Sequence, residues 1–207
     1  MEKYLAIAFD DGPFEPMCEM VDKIKAYGWK AAFAVVGKEI NEKTLPMLQY
    51  AIDNGFQLVT HGQEHRTLGK VTDREEILQE MLQPVETVKR LLGYEMTMGR
   101  LPGLSGNDAV FAVMRDIGMP LLGQGIVCGK DWEETTPVES IAKTVLDTVG
   151  DNAIGTLHVR FGTCKALDTI LPELKRRGYT LVTPEELFRI RGVKKIPLGE
   201  QIRFVCE

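Results

Sequence analysis

The stretch Tyr4-Leu-Ala-Ile-Ala-Phe9-Asp10-Asp11-Gly12-Pro13 decides how the chain is read. Six apolar residues in a row specify a buried strand. Two adjacent carboxylates follow, and Gly12-Pro13 ends the strand. Inside a strand, neighbouring side chains point to opposite faces. At a strand end, where the backbone turns, Asp10 and Asp11 can share one site. Two acids side by side repel, so keeping both ionised calls for a nearby cation. The stretch therefore reads as a metal site in which one Asp is a ligand and the other a base. The plainer alternative is a turn that the two carboxylates merely cap.

Composition sets the frame. The 207 residues are 44% hydrophobic and 27% charged, ordinary for a soluble globular chain and enough for one domain with a full core. Residues 1–207 are thus expected to form a single domain, with a short C-terminal extension from about residue 192. Lys and Arg number 25 against 30 acids, a net charge of -5. No basic block stands out, so nucleic acid and anionic membrane are not expected partners. Arg189, Arg191, Lys194 and Lys195 cluster near the tail and read as a solvated face. No charged leader with an apolar core precedes the first strand, which points to the cytoplasm, and no stretch is long enough to span a membrane. Cys18, Cys128, Cys164 and Cys206 are scattered and read as small buried hydrophobes, with no disulfide framework or cysteine zinc cluster.

The rest of the chain alternates. Further strands are expected over Ala31 to Val36, Phe56 to Thr60, Met96 to Leu101, Pro120 to Gly123, Ile154 to His158 and Tyr179 to Val182. Gln201 to Val205 is a candidate added strand. Between them run helices marked by apolar residues at helical spacing, such as Ile77, Met81, Val85, Val88 and Leu92. Thr72 with Glu75, Thr136-Pro137-Val138-Glu139 and Thr183-Pro184-Glu185-Glu186 are expected helix starts. Pro84 is expected to kink its helix. About seven strand-helix alternations favour a parallel sheet, doubly wound or closed as a barrel. Asp10, Asp11, His61, Arg100 and His158 all fall at C-terminal strand ends, where parallel α/β folds place their sites.

His61-Gly-Gln-Glu-His65 sets two of the three histidines four residues apart, a spacing that suits one side of a helical turn. With Asp11 they make an Asp-His-His set that leaves positions open for water and substrate. His158 is a candidate general acid, or a core histidine satisfied by backbone.

In this order, Phe9-Asp-Asp-Gly-Pro13, His61-x-x-x-His65, Arg100-Leu-Pro102, Asp131-Trp132 and Leu157-His158 resemble the five motifs of the polysaccharide deacetylases, the NodB homology domain of carbohydrate esterase family 4. The resemblance runs from Leu5 to about Leu187. It implies a distorted (β/α) barrel of about seven parallel strands. It also implies a metal-dependent hydrolase that removes N-acetyl groups from an amino sugar or related carbohydrate. By the same resemblance Asp10 is the base, and Asp11, His61 and His65 hold one divalent metal, zinc, with cobalt, nickel or manganese as alternatives. Arg100 orients Asp10 and keeps it ionised, Asp131 supports protonated His158 as the acid, and Pro102, Trp132 and Leu157 line the substrate site.

Several positions depart from that pattern. Gly62 replaces a Ser or Thr, which removes a hydroxyl and is expected to loosen the loop. Thr156 precedes Leu157 in the last motif and is expected to make the acyl pocket more polar. Val159 stands where an acid is common, Gly103 where an aromatic is, and Cys128 where D-x-x-D-W begins with Asp. With no leader, a small intracellular N-acyl compound or a lipid- or nucleotide-linked sugar is the expected substrate. Two rival readings remain: a barrel that binds sugar or a partner without turnover, and an H-x-x-E-H zinc peptidase with Glu64 as base.

Overall fold

A computed structural model describes residues 2–205; Cys206 and the last of the expected extension lie outside them. Strand β1 (Lys3–Gly12) is central. One edge pairs with β5 (Ile154–His158) from Ala6↔Ile154 to Asp10↔His158. Its other edge pairs first with β6 (Tyr179–Val182) and then with β2 (Ala32–Val35). Beyond β2 lies β3 (Gln57–Thr60), and all of these pairings are parallel. The short strands β4 (Leu121–Leu122) and β7 (Gln201–Ile202) form a second parallel pair.

Isolated bridges complete the wall: Thr60↔Gly99, Gly99↔Leu121 and Ile126↔Gly155. The backbone circuit runs from β1 through β2, β3, Gly99 and residues 121–126 to β5, and so back to β1. The expected strand over Met96 to Leu101 is thus reduced to one residue, Gly99, which bridges to Thr60 on one side and Leu121 on the other, and the tail contributes β7 and a bridge from Phe204 to Ala153. The barrel is laddered on one side and held by single bridges on the other.

Strand parity sorts the core. Ala6, Ala8, Ala32, Ala34, Val59, Leu122 and Ile154 pack with one another inside the wall. Leu5, Ile7, Phe9, Phe33, Val35, Leu58 and Leu157 face out into the larger cluster with the helices. There they meet apolar faces of α1 (Met17–Lys25), α2 (Leu45–Asp53), α3 (Arg74–Leu92), α5 (Val138–Thr148) and α6 (Phe161–Arg176). Phe9, Phe33 and Phe56 form a run of rings with centroids 5.5 and 5.7 Å apart. A third cluster sits between α3 and α4 (Asp108–Asp116). No described helix is long and apolar enough to cross a membrane.

The helix starts are partly as expected. Helix α3 is capped by Asp73, whose carboxylate accepts from the Glu76 N–H at 2.9 Å, so the cap lies one residue after Thr72. It continues through Pro84 as one helix. Thr136 does not cap α5: its hydroxyl donates to the Lys130 carbonyl, and Pro137 occupies the cap position. In the tail cluster Arg191 pairs with Asp151 at 2.7 Å, so it is not part of a free basic face.

Helix α7 (Pro184–Ile190) carries a full capping box. The Thr183 hydroxyl accepts from the Glu186 N–H at 3.1 Å, and the Glu186 carboxylate accepts from the Thr183 N–H at 3.2 Å. Thr183→Ala is expected to cost about 1 kcal/mol of stability, read as a lower urea midpoint at unchanged slope.

Candidate active site

The site follows from which face each strand end presents. Asp10 ends the inward row Ala6-Ala8-Asp10, and His158 ends the row Ile154-Thr156-His158. Between Phe9 and Gly12 the β1–β2 register slips, with Phe9 opposite Phe33 and Gly12 opposite Val35. One residue is extra in β1, and Asp11 takes a left-handed φ of 69°. Such a bulge re-aims a side chain at the cost of about 1–2 kcal/mol of local backbone strain. This is how two neighbouring carboxylates come to border one cavity.

That cavity, about 610 Å³, is bordered by Asp10, Asp11, His61, His65, Trp132, Thr156, His158 and Arg160 among others. On its rim the His65 Nε2 lies 3.2 Å and the His61 Nε2 3.7 Å from the same Asp11 oxygen, Oδ1. The His61 Nδ1 lies 2.9 Å from the Arg100 carbonyl. A carbonyl only accepts, so the His61 proton sits on Nδ1 and its Nε2 lone pair faces Asp11 and His65. Complete burial also lowers the His61 pKa, against the nearby Asp10 charge and the backbone bond, so the ring stays neutral. Burial opposes ionisation of Asp11. Its hydrogen bond to His65 and the charge of His158 nevertheless hold its carboxyl well below the usual carboxylate range. Two imidazole nitrogens and one carboxylate oxygen, all within 4.8 Å of one another, suit a borderline divalent ion.

The two histidines do not share a helical turn. They lie in the loop after β3, with Gly62 at φ 81° and His65 at φ 58°. The H-x-x-E-H peptidase pattern needs a helix there, and the loop excludes it.

The loop is braced by a residue that the motifs do not contain. Glu80, buried inside α3, accepts from the N–H groups of Glu64 and Arg66 at 3.1 and 3.0 Å, and its backbone carbonyl accepts from the Gln63 N–H at 2.8 Å. A Cβ on Gly62 would come within 2.5 Å of the Glu80 Oε1. The missing hydroxyl therefore does not leave the loop loose; a carboxylate from below takes its place. An inward glutamate on the apolar face of α3 was the available signal.

Asp10 is held by one oxygen. Its Oδ2 accepts from the Arg100 Nε at 2.8 Å, while its Oδ1 is buried without a hydrogen-bond partner. Arg100 is fully buried; it also donates to the Gly123 carbonyl at 2.7 Å and to the Thr156 hydroxyl. Thr156 is thus spent on Arg100 as well as bordering the cavity. Across the cavity, the His158 Nδ1 donates to the Asp131 Oδ1 at 2.7 Å. The Asp131 Oδ2 accepts from the His158 backbone N–H and from the Thr163 hydroxyl. Burial works against a charged His158, but the bonds to Asp131 and Cys128 prevail and its pKa is pushed up to about 10. Trp132 stands edge-on to the His158 ring, centroids 5.3 Å apart.

Two expected lining residues lie elsewhere. Leu157 has the opposite strand parity to His158 and packs outward in the core against the helices. Pro102 is buried beneath Gly62, and the neighbouring Gly103 and Leu104 border the cavity in its stead. Thr163, on the first turn of α6, and Arg160 are functional neighbours that sequence reasoning missed. The Arg160 guanidinium donates to the second Asp11 oxygen at 2.7 Å and leaves Oδ1 to the histidines.

A parallel α/β barrel with these motifs on its rim defines the class. The polysaccharide deacetylase family model matches residues 1–122, more than half of the chain, and the chain belongs to that family. It is 30% identical over 195 residues to a bifunctional xylanase/deacetylase of Pseudobutyrivibrio xylanivorans, covering 93% of this chain and 31% of that protein. It is 30% identical to a peptidoglycan-N-acetylglucosamine deacetylase of Bacillus cereus, covering 92% of this chain and 90% of the relative. Among solved structures, a family 4 acetyl xylan esterase from Clostridium thermocellum, in complex with a cobalt ion, superposes with a TM-score of 0.89. The two are 28% identical, covering 98% of this chain and 99% of that one. The chain spans only about a third of the bifunctional relative.

Gly62→Ser, which restores the residue type usual in the family, is expected to destabilise the protein by about 2 kcal/mol, since it adds a Cβ at positive φ against Glu80. In a Glu80→Ala background the same change should cost measurably less, because the two sites share one contact. Equilibrium unfolding of the four proteins of this cycle checks both statements.

Proposed function

We propose that this chain is a metal-dependent carbohydrate deacetylase that hydrolyses N-acetyl groups on an amino sugar. The single observation that carries the reading is the Asp10 carboxylate, which borders the cavity, is pinned by Arg100 through one oxygen and is left with a buried, unpartnered Oδ1. A buried acceptor without a partner costs roughly 1–3 kcal/mol, and a base awaiting a water proton accounts for it. Asp11, His61 and His65 would hold the metal, and their nitrogen and oxygen donors suit zinc. When bound, such an ion polarises the acyl carbonyl and acidifies water at neutral pH.

The remaining steps belong to the side chains. Asp10 takes the proton from the attacking water at Oδ1 while Arg100 keeps its other oxygen in place. An amine leaves poorly unless it is protonated. His158 supplies that proton from Nε2, while Nδ1 stays on Asp131. Trp132, half exposed beside His158, offers a flat face to a sugar ring. The names of the curated relatives, one acting on peptidoglycan N-acetylglucosamine, support an acetylated polysaccharide over the small molecule expected above. A binding-only barrel would have no use for an unsatisfied Asp10 beside a charged His158.

Asp10→Asn is expected to keep the metal, measured by elemental analysis, and to lower acetate release from N-acetylglucosamine oligomers by about 10³-fold or more. Full turnover in that variant removes Asp10 from the base role, and acetate released from acetylated xylan alone shifts the reading to an ester. His158 acts while protonated, and its raised pKa keeps that form populated from neutral pH up toward 10. Activity should therefore fall on the alkaline side of the kcat/KM profile. Asp131→Asn, which cannot balance the imidazolium, should move that limb to lower pH.

A further inference from the structure

Behind the general acid lies a second set of donors. The Cys128 thiol, the Asp131 carboxylate and the His158 imidazole each offer one atom, and the three atoms lie within 4.8 Å of one another. Cys128 and Asp131 are each 2% exposed, and His158 is only partly buried, facing the same cavity as Asp11 and the histidine pair. The donors come from separate elements: Cys128 and Asp131 from the loop after β4, and His158 from the end of β5. The loop turns sharply between its two donors, with Gly129 and Lys130 both at positive φ, at 63° and 60°. The Cys128 sulfur is reached by Gln124 Nε2 at 3.7 Å, a weak contact, and its other polar neighbour is His158, a member of the same set. One sulfur, one nitrogen and one oxygen make a softer set than the first site, which has no sulfur. Thiophilic divalent ions favour such a set over magnesium or calcium.

We infer that Cys128, Asp131 and His158 form a second, inhibitory binding site for a thiophilic divalent cation such as zinc, cobalt or cadmium. Binding releases the thiol proton and the Nδ1 proton of His158, and forms one sulfur-metal, one nitrogen-metal and one oxygen-metal bond. At tetrahedral zinc, nitrogen and oxygen ligands sit roughly 3.3 Å apart. The His158 Nδ1 and Asp131 Oδ1, now 2.7 Å apart, need part by only about half an ångström. The cation takes the place of the proton between them. The ring then keeps only its Nε2 proton, and giving that up would leave an imidazolate, so His158 no longer serves as the acid and excess metal stops the reaction that the first metal enables. The inhibition rests on the deacetylase reading; the binding does not.

Titration of the metal-free protein with cobalt separates the two. Wild type should take two equivalents, the weaker one with a thiolate-to-cobalt band in the near ultraviolet. Cys128→Ser and Cys128→Ala should take one and lack the band, while His61→Ala should keep the band. Alkylation of Cys128 in the wild type, mapped by mass spectrometry, should slow when cadmium is added, which gives the same reading without a substitution. In turnover, zinc in excess over the first equivalent should inhibit wild type by about tenfold or more, and Cys128→Ser by less than about twofold relative to its own rate. One equivalent without the band in wild type, a band that survives Cys128→Ser, or no cadmium protection of Cys128 overturns the site. Binding without inhibition overturns its inhibitory role. A thiolate band in a protein that releases no acetate under any condition leaves the site standing and defeats the deacetylase reading instead.

Discussion

A guanidinium with no exposed surface sits at the centre of this molecule. Burying a charge without partners costs far more than a marginally stable fold can spare, so Arg100 must be answered on every side. Asp10 answers from the end of β1, Gly123 from the segment after β4, and Thr156 from β5. The backbone of Arg100 reaches further: its N–H donates to the Thr60 carbonyl at 2.8 Å and its carbonyl meets the His61 ring. One residue thus fixes the position of a carboxylate, the tautomer of an imidazole and the spacing of three segments of the wall. Replacing it would leave Asp10 buried without its counter-charge, a loss of several kcal/mol.

Around that centre, small residues set the scale. Alanines on β1 and β2 line the inside of the wall and let it close tightly. Larger apolar side chains are turned outward to the helices. The ionisable groups Asp10 and His158 stand at the upper end of the inward rows of β1 and β5, where the rows run out of neighbours. The bulge at Asp10 and Asp11 adds a second carboxylate there, and the loop after β3 adds two imidazoles, held from below by Glu80. The chemistry therefore sits where the regular pattern of the strands breaks down, on a base that the regular pattern keeps rigid.

Much of this was legible in the residues. The apolar run before Asp10, the helical spacing of Met17, Met20 and Ile24, and the helix start at Thr183 each rest on local rules, and each appears as read. The convergence of Asp10, Asp11, His61, Arg100 and His158 was legible because strand ends in a parallel fold meet at one face. What local rules could not supply was register and depth. The pairing of Gly99 depends on neighbours far away in sequence, so an expected strand became a single bridging residue. Leu157 and His158 are adjacent in sequence, but alternation sends them to opposite sides. Glu80, Thr163 and Arg160 act through contacts across 14 to 149 residues of chain, which no spacing rule reveals.

The wall itself is uneven. From β5 through β1 and β2 to β3, consecutive residues share ladders of hydrogen bonds, whereas the opposite arc depends on bridges of one residue each. Cooperative ladders open only together, while an isolated bridge can break alone. Amide protons at Gly99 and Leu122 should therefore exchange faster than those of β1, and the arc that carries Asp131 and Trp132 should breathe while the arc that carries Asp10 and Asp11 stays still. The cavity has one fixed jaw and one yielding jaw. A rigid jaw preserves the distances among Asp10, Asp11 and the histidine pair, and a yielding one lets the cavity change width without rebuilding them.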